Sequence, residues 1–134
     1  MTDMVNHPPH YEDHPSGIEC IEITRNMDFD LGNALKYIWR ADSKGRKIED
    51  LKKAIWYLND ARPLYRRHAL PSTVALQFQY VIDKTPGYNL PQAMQQIFVL
   101  TTAPLYPQDR VKAIDMAITH LEDELWKAEI DESK

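Results

Sequence analysis

Asp28-Phe29-Asp30-Leu31-Gly32-Asn33-Ala34-Leu35-Lys36-Tyr37-Ile38-Trp39-Arg40-Ala41 decides how the chain is read. Leu31, Ala34, Leu35, Ile38 and Ala41 recur at spacings of three and four, the period of a helix with one apolar face, and Asp30 is the expected N-cap. The opposite face carries Asn33, Lys36, Tyr37 and Arg40 at i, i+3, i+4 and i+7, which sets an amide, an ammonium, a phenol and a guanidinium side by side. Further along, Gly87-Tyr88-Asn89-Leu90-Pro91-Gln92-Ala93-Met94 lies over Asp28 to Leu35, so that Leu90 falls on Leu31 at an offset of 59. Ile114 to Leu121 lies over Leu51 to Leu58 at an offset of 63. The difference of four falls between helices, where insertions are tolerated.

Working outward, residues 1–15 are rich in proline and histidine, without helical or strand periodicity, and are expected to form an extended arm. Ser16-Gly17-Ile18-Glu19 has the capping-box form and is expected to open a first helix running to about Met27. A third helix from about Lys47 buries Leu51, Ala54, Ile55 and Leu58 and ends near Pro63. Val74 to Ile82 fits a strand or a helix on its own; the repeat settles it as the copy of the first helix. Asn89 is expected to cap a fifth helix. Val111, Ile114, Ala117, Ile118, Leu121 and Leu125 line a last one.

The expected fold class is therefore all-α: a helical bundle of two tandem three-helix repeats related by a pseudo-twofold, residues 16–66 and 67–134, in one domain over 1–134. Three-helix units this small need a partner to bury their apolar faces, and a fused copy supplies it. The expected assembly is a monomer with a pseudo-dimeric core, or a homo-oligomer.

The chain has 134 residues, one cysteine and a net charge of -4. One cysteine forms no internal disulfide, there is no apolar run of the roughly 20 residues that cross a bilayer, and the start lacks the pattern of a secretory signal. The expectation is a cytoplasmic protein with no membrane partner. An acidic average makes nucleic acid an unlikely ligand, yet the segment from Lys36 to Arg67 is locally basic, which suits a compact anion site.

Asp50, Lys53 and Tyr57 repeat the i, i+3, i+7 arrangement on the third helix, so two polar stripes on adjacent helices are expected to converge on a phosphate. The second repeat is a built-in control: Gln92, Gln95, Gln96 and Val99 stand where the first has Asn33, Lys36, Tyr37 and Arg40. Trp39 and Trp56 are read as core, with base stacking by these rings or by Tyr11 as the alternative. His7, His10 and His14 lack helical spacing because of the intervening prolines, and no metal site is expected. Glu19, Glu22, Glu49, Asp50 and Asp60 suggest a further alternative, a magnesium-dependent all-α nucleotide pyrophosphohydrolase.

Four ordered motifs carry a resemblance over about residues 5 to 61: Asn6-His7-Pro8-Pro9-His10-Tyr11, Gly17-Ile18-Glu19-Cys20-Ile21-Glu22, Gly32 to Ala41, and Glu49 to Leu58. Together they resemble the SaV-like family of small phage proteins, which includes a phage deoxynucleoside monophosphate kinase. The resemblance implies a nucleotide-binding protein in the host cytosol and, where catalytic, a nucleotide kinase; the cofactor is left open, with Mg2+ carried by a nucleoside triphosphate as the candidate. It places His10, Tyr11, Glu19, Asn33, Lys36, Tyr37, Arg40, Asp50, Lys53 and Tyr57 on the family's motif positions. In that reading Asp50 and His10 are catalytic and orient the acceptor hydroxyl, while Tyr11, Asn33, Lys36, Tyr37, Arg40, Lys53 and Tyr57 bind substrate. Arg40-Ala41-Asp42-Ser43-Lys44 departs from the family's Arg-Ala-Gly-Lys-Lys and sets an extra carboxylate beside the expected phosphate site. A non-catalytic binder of nucleotides or of a host protein is the alternative from a different class.

Overall fold

The structure is a computed structural model that describes residues 14–43, 45–63 and 69–134. His7, His10 and Tyr11, and the expected arm up to residue 13, lie outside the described residues. Among those described there are six helices and no strand: α1 (Cys20–Thr24), α2 (Phe29–Arg40), α3 (Lys47–Asp60), α4 (Ser72–Lys84), α5 (Asn89–Thr102) and α6 (Pro107–Ser133). The ambiguous segment from Val74 to Ile82 is helical, inside α4. No described helix is long and apolar enough to cross a membrane.

Several helix starts differ from the expected ones, each for a local reason. Gly17 adopts φ +75, a left-handed conformation that cannot belong to a helix, so α1 starts only after Glu19. The reciprocal contact is made three residues later, where the Glu22 carboxylate accepts the Glu19 N–H at 2.8 Å. Ser16 instead turns the chain, its hydroxyl accepting the Ile18 N–H. The cap of α2 is Asp28, whose Oδ1 accepts the Leu31 N–H at 2.9 Å, while Asp30 falls in the first turn and is buried. Asn89 does not cap α5; it is the first helical residue, and its amide serves α6 instead. α6 runs on to Ser133, about 40 Å in all, because nothing between Leu121 and Ser133 breaks a helix.

The helices share a single core. Ile23 of α1, Leu35 and Ile38 of α2, Leu51 and Leu58 of α3, Phe78 of α4, Met94 and Ile97 of α5, and Ile114 and Leu121 of α6 all belong to one buried cluster, with Ile55 partly buried against it. α2 packs on α3 and α5 on α6; the two pairs meet through α3 against α6 and α2 against α5, while α1 also touches α4. Gly32 lets α1 approach α2 closely, since a Cβ there would stand 3.3 Å from the Thr24 carbonyl oxygen.

Polar contacts fix both ends of the α3–α6 pairing. At the start of α3, Lys47 reaches Glu124 of α6 at 2.6 Å and Asp42 at 2.7 Å. At its end, the buried Arg110 of α6 donates to the carbonyl of Ala61, the α3 C-cap, at 3.1 Å, a favourable place for a cation. The two helices therefore run antiparallel. On α5, the buried Asn89 amide donates to Asp123 and Glu124 of α6, and its carbonyl oxygen meets His120 at 3.2 Å.

His14 ties the N-terminal segment to the α4–α5 turn. Its Nδ1 accepts the Ser16 N–H at 3.0 Å, and its Nε2 lies 2.9 Å from the Thr85 hydroxyl, which itself donates to Val81 O. That network requires the neutral ring with its proton on Nε2, a tautomer assigned from the hydrogen bonds. The ring also packs on Trp39 at 5.1 Å, and the two border a pocket of about 240 Å³. Burial pushes the His14 pKa below its ordinary 6.5; Asp42 is the charged group lining the same pocket. A histidine depressed in the fold contributes stability that is complete above the unfolded pKa and is lost as pH falls from there toward the folded value. Stability toward urea of the native chain is expected to fall between about pH 7 and pH 5, and His14→Gln is expected to flatten that part of the profile. An equally steep profile in the variant would remove His14 as the cause.

Candidate functional site

α2 and α3 lie side by side so that the start of one meets the end of the other. Phe29, at the start of α2, contacts Tyr57 near the end of α3, with ring centroids 5.8 Å apart. Arg40, at the end of α2, meets Asp50 in the first turn of α3, Nε to Oδ2 3.5 Å. Between these ends the stripes converge on Tyr37, which stacks on Tyr57 at 5.9 Å and 10°. Lys36 Nζ stands 4.7 Å from the Tyr37 ring centre, Lys53 Nζ 5.3 Å and the Arg40 guanidinium carbon 5.6 Å. Three cations from two helices thus surround one ring, where cation–π attraction offsets part of their mutual repulsion.

Their partners differ. Lys53 is held 2.9 Å from Glu49, and this hydrogen bond raises the lysine's pKa and lowers the glutamate's. Arg40 is shared with Asp50. Among the described residues Lys36 has no carboxylate within salt-bridge distance. Asn33 lies on the same face, but its amide donates to the Phe29 carbonyl of its own helix at 2.8 Å. The extra carboxylate Asp42 is turned to Lys47. His10 and Tyr11 are outside the described residues, so the geometry concerns Asn33, Lys36, Tyr37, Arg40, Asp50, Lys53 and Tyr57.

Asp50 is only 1% exposed, and both its Oδ2 and Arg40 Nε lack a hydrogen-bond partner at proper geometry. The pair is an ionic contact whose two atoms without a hydrogen bond face each other. The other carboxylates considered for metal chemistry are dispersed: Glu22 at the α1 cap, Glu49 on Lys53, Asp60 exposed at the end of α3. Among the described residues no group of three or more His, Cys, Asp or Glu is placed to hold a metal ion. Cys20 is buried and its thiol is pushed up to about 12, by burial first, with Thr24 and Lys36 acting in the opposite direction; it is no nucleophile at neutral pH.

Sequence reasoning missed Trp56. Read as core, it is 60% exposed and meets Tyr57 edge-on at 5.1 Å, while Phe29, 73% exposed, approaches the same ring. Trp39, read the same way, is half-buried against the core and His14. The available signal was position: Trp56 follows the buried Ala54 by two residues and precedes Leu58 by two, which turns it away from the apolar face.

A model of the family described as "Protein of unknown function (DUF3310)" matches residues 5–59, the part of the chain that holds α1, α2, nearly all of α3 and every residue of the Tyr37 cluster. No curated protein and no solved structure matches the chain.

The Arg40–Asp50 pair gives a direct test of what the cluster needs. At the two offsets found in the sequence, Arg40 corresponds to Val99 and Asp50 to Ala113, so the second half carries an apolar pair there. Asp50→Ala alone strands a partly buried guanidinium and is expected to cost about 2–4 kcal/mol in urea unfolding. The double variant Arg40→Val/Asp50→Ala is expected to recover most of that loss, as apolar replacements of buried pairs often do. A double variant no more stable than the single one would contradict this reading of the pair.

Proposed function

We propose that this chain binds a nucleotide through the α2–α3 face, with Lys36, Lys53 and Arg40 on its phosphate. The observation that carries the reading is the gathering of three cations around Tyr37, one of them, Lys36, with no carboxylate of its own among the described residues. Spare positive charge held in one place by stacked rings is what a phosphate ligand needs, and a charge-assisted hydrogen bond to it is stronger than a neutral one. Resemblance to the SaV-like phage proteins adds the activity: transfer of a phosphoryl group to a (deoxy)nucleoside monophosphate. Such chemistry relies on positioning and on neutralising charge, work for Lys36, Lys53 and Arg40.

Asp50 is better suited to orient Arg40 than to take a proton from a bulk-exposed hydroxyl, given its burial and the guanidinium beside it. That favours a second reading, nucleotide binding without turnover, as in a protein that sequesters nucleotides or modulates a host enzyme. Magnesium finds no natural place among these residues, because Asp50 Oδ2 faces an arginine and Glu49 is held by Lys53; a metal ion would come with the triphosphate.

The same proposal includes the tandem repeat. Under the 63-residue offset, Lys47 corresponds to Arg110 and Ala61 to Glu124, so the contact of Lys47 with Glu124 maps onto that of Arg110 with Ala61, the reciprocity expected of a twofold. Phe29 and Tyr57 correspond to Tyr88 and His120, and both ring pairs meet edge-on, 5.8 Å and 74° against 5.7 Å and 71°. Every helix contact between the halves described above joins corresponding helices: α1 with α4, α2 with α5, α3 with α6. In this arrangement the second half closes the core, and Gln95, Gln96, Val99 and Met116 in place of Lys36, Tyr37, Arg40 and Lys53 leave it without the anion site.

Calorimetric titration with nucleoside mono- and triphosphates, with and without magnesium, followed by assay for phosphoryl transfer, tests the function. Lys36→Gln and Lys53→Gln are expected to weaken binding about five- to tenfold each while leaving the unfolding midpoint nearly unchanged. Arg40→Gln is a poorer probe, because it also unpairs Asp50. Undiminished affinity in both lysine variants would end the phosphate reading; binding with no product in any nucleotide pair would select the non-catalytic one.

A further inference from the structure

Phe29 and Trp56 are large aromatic side chains left mostly in water, and both stand against Tyr57 at one end of the row of cations. The exposure of Trp56 is not required by the fold, whereas the exposed edge-on ring at position 29 recurs at Tyr88. α3 buries Leu51, Ala54 and Leu58 on its inner face, and position 56 points away from them; the corresponding position of α6 is Thr119, exposed and small. A tryptophan here adds aromatic surface without adding to the core. Phe29, Trp56 and Tyr37 each stand within 6 Å of the Tyr57 ring, so that exposed, uncharged rings and a ring surrounded by three cations share one aromatic cluster.

We infer that this cluster selects the heterocyclic base: Trp56, with Phe29 beside it, stacks the base of a mononucleotide whose phosphate lies on Lys36 and Lys53. The inference rests on the nucleotide reading above and deepens it by naming the residues that recognise the other end of the ligand. The composition of the surface argues for that class. An inorganic anion would need the cations and not the rings, and an apolar ligand the rings and not the cations. A planar base carrying a phosphate uses both, and stacking works with any base because each offers a π-face. Phe29 and Lys36 are seven residues apart on one helix, about 10 Å along its axis, so α2 carries an aromatic end and a cationic end.

The test separates the two ends of the ligand. Affinity for a purine deoxynucleoside monophosphate and for 2-deoxyribose 5-phosphate is measured by NMR titration on the native chain and on Trp56→Ala, Trp56→Phe, Trp56→Leu and Lys36→Gln. Trp56→Ala and Trp56→Leu are expected to lose roughly tenfold in affinity for the nucleotide and nothing for the sugar phosphate, Trp56→Phe is expected to keep most of the nucleotide affinity, and Lys36→Gln is expected to weaken both ligands. Nucleotide affinity that is unchanged in Trp56→Ala, or that falls equally for both ligands, overturns the stacking role while the phosphate site stands. A native chain that binds no nucleotide overturns both, and a single-stranded oligonucleotide bound more than tenfold tighter than the monophosphate overturns the mononucleotide assignment.

Discussion

The contact between Arg40 and Asp50 sets the register on which the rest of the α2–α3 face depends. Asp50 is carried into the interior by α3, where an unpaired carboxylate is costly, and the only described cation in salt-bridge reach of it is Arg40 at the far end of α2. With that end fixed and the helices antiparallel, Tyr37 falls against Tyr57 and Lys53, and Phe29 falls against Tyr57. A slip of one turn would move Lys36 and Lys53 apart by about 5 Å and disperse the charge that their meeting concentrates. The pair is thus a device for alignment more than for stability.

The two halves divide the labour in a way that physical size explains. Three helices of five, twelve and fourteen residues bury too little on their own, and α4, α5 and α6 complete the core through Phe78, Met94, Ile97, Ile114 and Leu121. At the matched sequence positions this part of the chain has Gln95, Gln96, Val99 and Met116 in place of Lys36, Tyr37, Arg40 and Lys53. The polar residues it keeps, Asn89, His120 and Arg110, make contacts between helices.

Much of this was legible in the sequence. The three- and four-residue spacing of Leu31, Ala34, Leu35 and Ile38 gave α2 and its buried face, and the same spacing on α3 and α6 gave the single core. The gathering of Lys36, Tyr37, Arg40, Asp50, Lys53 and Tyr57 followed from stripes on neighbouring helices. Helix starts were less legible, because a capping residue is identified by backbone shape as well as by type: Gly17 at φ +75 moves the start of α1, and Asp28 rather than Asp30 has the extended backbone of an N-cap. Trp56 was misread because residue type was weighted over its place on the helix. The depth of Asp50 was illegible, since it comes from the packing of α3 within the bundle, beside Arg40 of α2, a tertiary fact that no local pattern carries. The roles of His10 and Tyr11 fall outside the described residues.

The central claim is that ligand chemistry belongs to one face of one half. The most direct measurement is a map of backbone amide chemical-shift changes in the labelled full chain as a deoxynucleoside monophosphate is added. The expected result is a continuous set of changes along α2 and α3, strongest from Phe29 to Arg40 and from Glu49 to Tyr57, with the outer face of α5 and α6 unaffected. Changes centred on α5 and α6, or on the groove between Arg46 and Glu132, would contradict it.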